Sequence, residues 1–240
     1  MKERGISGST LKIIAIVTMF LDHIGAVLVE PYLIHLMDQE ITKQFYLFWW
    51  IDRGLRLIGR VAFPIFIFLL LEGFVHTRNR AKYARNLFVF ALLAEIPFDL
   101  AVSASIVDIQ YQSVMLTLLL GYCGIWSYDE LKKRGYQTIV ALLPAAIATI
   151  AAHILHTDYG AFGVFVIVLL YYVGYEKKNR KLFYVCGVFS FLWEVTAPIA
   201  FLLIHFYNGK RGLQLKYIFY FFYPVHLLIL GCIRIFILKY

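Results

Sequence analysis

Charge is what this chain has least of. Only 16% of its 240 residues are Asp, Glu, Lys or Arg, and 61% are hydrophobic, whereas soluble domains carry about 25% charge. That shortage excludes an ordinary soluble enzyme. Cysteine is rarer still. Cys123, Cys186 and Cys232 lie singly in apolar runs, which excludes a disulfide framework and leaves three buried thiols. No His, Cys or carboxylate spacing of a known metal motif is present, so no metal is expected. Fixed-period repeats, low-complexity tracts and any polar stretch able to form a soluble domain are also missing. Lys2 and Arg4 ahead of an apolar run imitate a signal peptide. No small-x-small cleavage site follows, and Asp22-His23 interrupts the run, which reads instead as the first spanning helix.

What remains is a series of apolar stretches. They predict an all-α, polytopic integral membrane helical bundle of about 8–10 transmembrane helices, in a single domain over residues 1–240. The expected spans are 11–29, 57–74, 84–102, 112–126, 137–153, 160–175, a stretch over 182–207, and 216–238. Thr196-Ala197-Pro198 breaks the 182–207 stretch into two short helices. Residues 30–55 read as a mixed connector, in which the aromatic block FYLFWW at 45–50 suits a membrane interface.

Loop charge sets the orientation. With the N-terminus cytoplasmic and nine crossings, seventeen Lys and Arg fall on inner segments and four on outer ones. The inner segments include 76–86, 128–136, 176–181 and 208–216. The net charge of +8 is thereby explained by topology, and no nucleic-acid partner is implied. The chain is expected in the cell membrane.

Inside these spans a few polar residues stand out. Asp22 and His23 sit deep in the first helix, although an Asp there costs about 2.5–3.5 kcal/mol on the lenient insertion scale. Consecutive helix residues point about 100° apart, so Asp22 either tunes His23 or binds a group on another helix while His23 faces a cavity. At 1.5 Å per residue, Glu95 falls at the midplane, Asp99 one turn further out, Arg60 one turn in from the outer face, and His226 at the midplane. Glu95 and Asp99 share a helix face and call for a cation, for which Arg60 is the nearest by depth. Asp158, Glu194 and Arg234 fall near outer helix ends. Glu72 lies near the inner basic turn, within reach of Arg78 or Lys82. One layer of polar groups suits either a web of structural salt bridges or a transfer site. Two His at one depth favour proton or acyl transfer.

Several stretches together resemble the TraX family. They are SGSTLKIIAIVTMFLDHIG at 7–25, IGRVAFPIFIFLLLEGFVHTRNRAKYARNLFVFALLAEIPFDLA at 58–101, TDYGAFGV at 157–164, YNGKRG at 207–212 and KYIFYFFYPVHLLIL at 216–230. The family's namesake acetylates the N-terminus of a conjugative pilin, and the family is thought related to acyltransferase-3-like membrane acyltransferases. The resemblance implies acetyl-CoA as donor, a catalytic His at position 23, and family-pattern residues that include Lys12, Gly59, Arg60, Pro64, Pro97, Tyr223 and Pro224.

The resulting expectation is a membrane acetyltransferase moving an acetyl group from cytoplasmic acetyl-CoA to an amine, such as a pilin-like N-terminus, or to a hydroxyl at the outer side. The acceptor is a protein or a glycan. His23, Asp22, Glu95 and His226 are the catalytic candidates. Arg60, Arg78 and Lys82 are candidates for the acyl donor, and Asp99, Asp158 and Tyr223 for the acceptor. His23 serves either as general base or as acyl carrier, with Asp22 or Glu95 orienting it. A proton-coupled transporter and a non-catalytic membrane assembly factor are the rival readings. Against the first stands the lack of matching halves.

Overall fold

The computed structural model describes residues 5–39, 42–213 and 216–238, without the side chains of residues 42, 216, 217 and 219. Lys2, Arg4 and Lys239, which entered the loop-charge asymmetry, lie outside the described residues, as does the side chain of Lys216. The described chain is an all-α membrane helical bundle, with two isolated bridges (Ile6 with Tyr207, Gln112 with Thr157) as its only extended pairing among those residues. Three helical runs are long and apolar enough to cross a membrane: Gly8–Asp38, Lys43–His76 and Tyr220–Leu238. Thr138–Ile154 and Gly160–Glu176 are shorter apolar helices. Two compact units divide the chain. One comprises Met1–Phe66, Ile96–Val107 and Phe191–Tyr240, the other Ile67–Glu95 and Asp108–Ser190.

In the first unit, α1 (Gly8–Ile24) begins where Ser7 caps it, its Oγ accepting from the Thr10 N–H at 3.2 Å. The YNGKRG segment is stitched to this start. Gly8 N–H donates to the Lys210 carbonyl and Ser9 N–H to the Arg211 carbonyl, both at 2.8 Å. Gly212 has φ of 71°, and a side chain there would run into Ser7 and Ser9. Two motifs some two hundred positions apart thus form one structural joint.

α1 does not stop at Val29. It passes through a π turn, Gly25–Val29, in which the Glu30 N–H reaches back five residues to the Gly25 carbonyl, and continues as α2 (Glu30–Asp38). Pro31, which has no N–H to give, is the second residue after the turn. α3 (Thr42–Gly59) packs back along α1 and α2. The expected connector over 30–55 is therefore mostly helix. Charge spacing is the reason for the difference: Asp52 within it and Arg56 and Arg60 just beyond are four apart and share one helix face, a pattern that serves a helix and not a loop. A run of 31 residues spans about 46 Å, more than the roughly 30 Å hydrocarbon core, so part of it extends past the apolar layer.

Close approach of α1 and α3 depends on two glycines. A Cβ on Gly59 would collide with the Asp22 side chain, and one on Gly25 would lie 3.0 Å from Asp52 Oδ1 and 3.1 Å from Arg56 Cδ. α3 gives way to α4 (Ala62–His76) at Arg60 and Val61. Pro64 accounts for the break, since it cannot donate to the Arg60 carbonyl. In this unit also lie the last turns of α5 (Arg80–Val102), the short α10 (Ile199–His205), and α11 (Lys216–Cys232) with its terminal π turn, Ile233–Leu238. Arg234 donates to the carbonyls of Ala101 at 2.8 Å and Val102 at 2.6 Å, closing the C-terminal end of α5.

The second unit is built on α6 (Val114–Lys133), α7 (Thr138–Ile154) and α8 (Gly160–Tyr171), with a π turn at Tyr172–Glu176 and α9 (Arg180–Ser190). Buried Ala141, Ala145, Ala148 and Ala152 form a small-residue stripe on α7. A Cβ on Gly124 would lie 3.3 Å from the Ala145 Cα, which shows how tightly the two helices fit. The broken 182–207 stretch is as expected: α9, an irregular turn over 191–198, and α10.

Candidate active site

His23 in α1 and His226 in α11 meet. His23 Nδ1 lies 2.6 Å from His226 Nε2, and the rings are within 10° of parallel. His226 is 4% exposed and Tyr223 5%. The second ring nitrogen of His226 lies 2.6 Å from the Phe222 carbonyl oxygen, one helical turn back. Aromatic rings enclose the pair. Phe222 stacks on His226 at 4.8 Å, Tyr223 stands edge-on to His23 at 5.9 Å, and Phe20 stands edge-on to His226 at 5.9 Å. Sequence depth placed both His in one layer, and the fold puts them in contact.

Asp22, next to His23, turns to α3. Its Oδ2 takes a 2.7 Å ion pair from Arg56 Nη1, and Oδ1 lies 4.0 Å from Arg60 Nη2. Arg60 also pairs through Nη1 with Glu194 at 3.3 Å, and the Glu194 side chain is 4% exposed. Of the two uses considered for Asp22, binding a group on another helix is the one seen. Buried ions need partners with good geometry, and this alternating line of Arg56, Asp22, Arg60 and Glu194 supplies them beside the His pair. Thr196 Oγ1 donates to the Leu57 carbonyl, which ties the irregular turn carrying Glu194 to α3. Asp99, also in the first unit, is 4% exposed.

The other candidates have surroundings of their own in the second unit. Glu95 accepts from Ser113, Oγ at 2.7 Å and N–H at 3.3 Å. Asp158 accepts from Tyr111 Oη at 2.7 Å and from the Tyr159 N–H at 3.0 Å, and Thr117 Oγ1 donates to its carbonyl. Tyr159 has φ of 60°, a strained position that this network holds. The TDYG motif is thus a turn built by hydrogen bonds. Arg78 and Lys82 are exposed on and just after the turn between α4 and α5. Glu72 is served by Tyr175 Oη at 2.8 Å and by His76 at 3.7 Å, partners other than the Arg78 or Lys82 its sequence position suggested.

Arg56 is the residue that sequence reading missed. It was counted with the outer loop, although the four-residue spacing of Asp52, Arg56 and Arg60 is a helix-face signal. The Phe222 carbonyl carries no sequence signal beyond lying four residues before His226.

The sequence model described as "TraX protein" matches residues 7–234, nearly the whole chain and all of the His pair's surroundings. The chain belongs to the TraX family. A relative in Dichelobacter nodosus, described as probable fimbrial assembly protein FimC, serogroup H1, is 30% identical over 259 aligned positions, covering 96% of this chain and 97% of that protein. No solved structure matches. The likeness to this relative covers nearly the whole of both chains.

Proposed function

We propose that this member of the TraX family is a membrane-embedded acetyltransferase. It takes the acetyl group from acetyl-CoA on the cytoplasmic side and passes it to an amine or hydroxyl at the outer side. The observation that carries the reading is the His23–His226 contact of 2.6 Å between two membrane helices. A structural web of ion pairs has no need of a ring-to-ring hydrogen bond walled by aromatics. A positioned acid–base group has.

The first helix also fits the donor. Lys12 lies in the second turn of α1, and the Arg211 backbone is joined to the start of the same helix through the Ser9 N–H at 2.8 Å. Two basic side chains at this end of the helix favour an anion, here the phosphates of coenzyme A. His23 lies eleven residues beyond Lys12, about 16 Å along the helix, which matches the reach of an extended pantetheine arm. The exposed Arg78 and Lys82 would add long-range attraction for an anionic donor. Bound acetyl-CoA supplies a thioester carbonyl. His23 takes the proton from the acceptor N–H or O–H as it attacks that carbon, and returns it to the departing sulfur. A pilin-like N-terminal amine is the acceptor favoured by the likeness to a protein described as a fimbrial assembly protein.

Mass spectrometry of surface proteins and glycans, with and without this chain, tests the reading. One acetyl group on a protein N-terminus should vanish with the chain and return with it. The purified protein in lipid nanodiscs should release free thiol from acetyl-CoA slowly. An unchanged acetylation pattern together with inert acetyl-CoA would overturn it.

A further inference from the structure

We propose that His226, with the Phe222 carbonyl, is a positioning residue that fixes which nitrogen of His23 carries hydrogen. The inference rests on His23 being the transfer residue. A carbonyl oxygen only accepts hydrogen bonds. The 2.6 Å contact between His226 Nδ1 and the Phe222 oxygen therefore places hydrogen on Nδ1. A neutral imidazole has one N–H, which leaves a lone pair on His226 Nε2. That lone pair faces His23 Nδ1 at 2.6 Å, so His23 donates through Nδ1. Its Nε2 is then the bare nitrogen.

Phe20, Phe222 and Tyr223 wall the two rings, and a charge among them is costly. The same rings block the alternative. Flipping His226 would break two hydrogen bonds and disturb the Phe222 stack, whose planes are 21° apart. The direction of the whole line is set at its backbone end.

The consequence for transfer is specific. His23 Nε2 holds the lone pair that takes the acceptor's proton while the new C–N or C–O bond forms. The cation so produced already points its Nδ1–H at His226 Nε2, so the positive charge is stabilised where it appears. When the C–S bond breaks, the Nε2 proton passes to sulfur, coenzyme A leaves as the thiol, and His23 is neutral again in the same tautomer. The opposite tautomer would present an N–H to the acceptor and could not take its proton.

Nitrogen-15 NMR of histidine-labelled full-length protein in nanodiscs near neutral pH tests this, with signals assigned by their loss in His23→Ala and His226→Ala. The expected result is a protonated Nδ1 and a bare Nε2 on His23. His226→Leu should remove the preference for that tautomer and lower acetyl transfer by about tenfold or more. His226→Gln, whose carbonyl oxygen can accept from Nδ1, should restore the tautomer and much of the rate. Hydrogen on His23 Nε2 in the wild-type protein, alone or with Nδ1, would overturn the proposal. So would a His23 tautomer unchanged in His226→Leu. If the tautomer is as expected and acetyl-CoA is nonetheless inert, the acetyltransferase reading falls and the positioning role stands.

Discussion

Asp129 and His23 are both polar side chains withdrawn from water, and the protein treats them in opposite ways. Asp129, in the last turns of α6 beyond the apolar part of that helix, accepts from Arg80, from Lys133 at 2.8 Å and from Tyr171 Oη at 3.0 Å. Arg80 in turn lies over the Phe74 ring at 4.2 Å. Donors from α5, α6 and α8 thus converge on one carboxylate. The line through His226 and His23 is open: it starts on a carbonyl and ends on His23 Nε2, which makes no described hydrogen bond. A carboxylate shared by three helices holds them together, whereas a line with one unspent end can act on something that arrives.

Removing the open end should give the largest effect. His23→Ala should insert and fold, since a small apolar residue suits a membrane helix, while acetylation falls by at least about a hundredfold. Asp129→Asn should leave the rate per folded molecule unchanged. Equal losses of rate in the two variants would erase the distinction between the clusters.

The line of ions beside His23 gives the next test. Arg56→Met strips Asp22 of its 2.7 Å partner and should lower stability by about 2–3 kcal/mol. Adding Asp22→Asn should recover part of that loss. Strict additivity in thermal melts would mean the pair is not coupled.

A third test is pH. Burial alone would raise the Asp129 carboxyl, yet hydrogen bonds from Lys133, Arg80 and Tyr171 hold it below its ordinary 3.8. A lowered folded value means that the stabilisation is complete above the ordinary carboxylate range and fades as pH falls through the lowered value. The wild-type advantage over Asp129→Asn, about 1–2 kcal/mol at neutral pH, should therefore shrink below about pH 4. An advantage that grew in acid would contradict the geometry. The smallest effect belongs to Tyr175→Phe, which loses one 2.8 Å bond to Glu72 and should cost about 1 kcal/mol in a denaturation curve.

Much of this was legible beforehand because membrane helices announce themselves by apolar length. The helices from Ala62 onward and the break at Thr196-Ala197-Pro198 are where hydropathy and proline put them, whereas the expected 57–74 span starts inside α3 and crosses the break at Arg60 and Val61. Residues 30–55 were misread because charged helix faces and loops look alike in composition, and only the spacing of Asp52, Arg56 and Arg60 separates them. His23 and His226 could be matched by depth, which counting along a helix provides. The direction in which Asp22 turns is a rotation about α1, decided by which neighbour it meets, and Gly25 and Gly59 make room for that neighbour without revealing its identity. Arg60 also meets Glu194, held on an irregular turn that no periodicity describes.

The π turn after His23 makes the chain's register a mechanical setting. One turn there holds an extra residue, so everything before Gly25 is rotated by about 100° relative to what an uninterrupted α-helix would impose on Glu30–Asp38. α1 and α2 are in effect two cylinders geared together with an offset. Deleting Ala26 would let the run close as a regular helix with its backbone bonds intact. It would also turn Asp22 and His23 against α2, so that Arg56 and His226 could no longer both be met while α2 stays seated on α3. One residue of helix length here is a quarter-turn of aim.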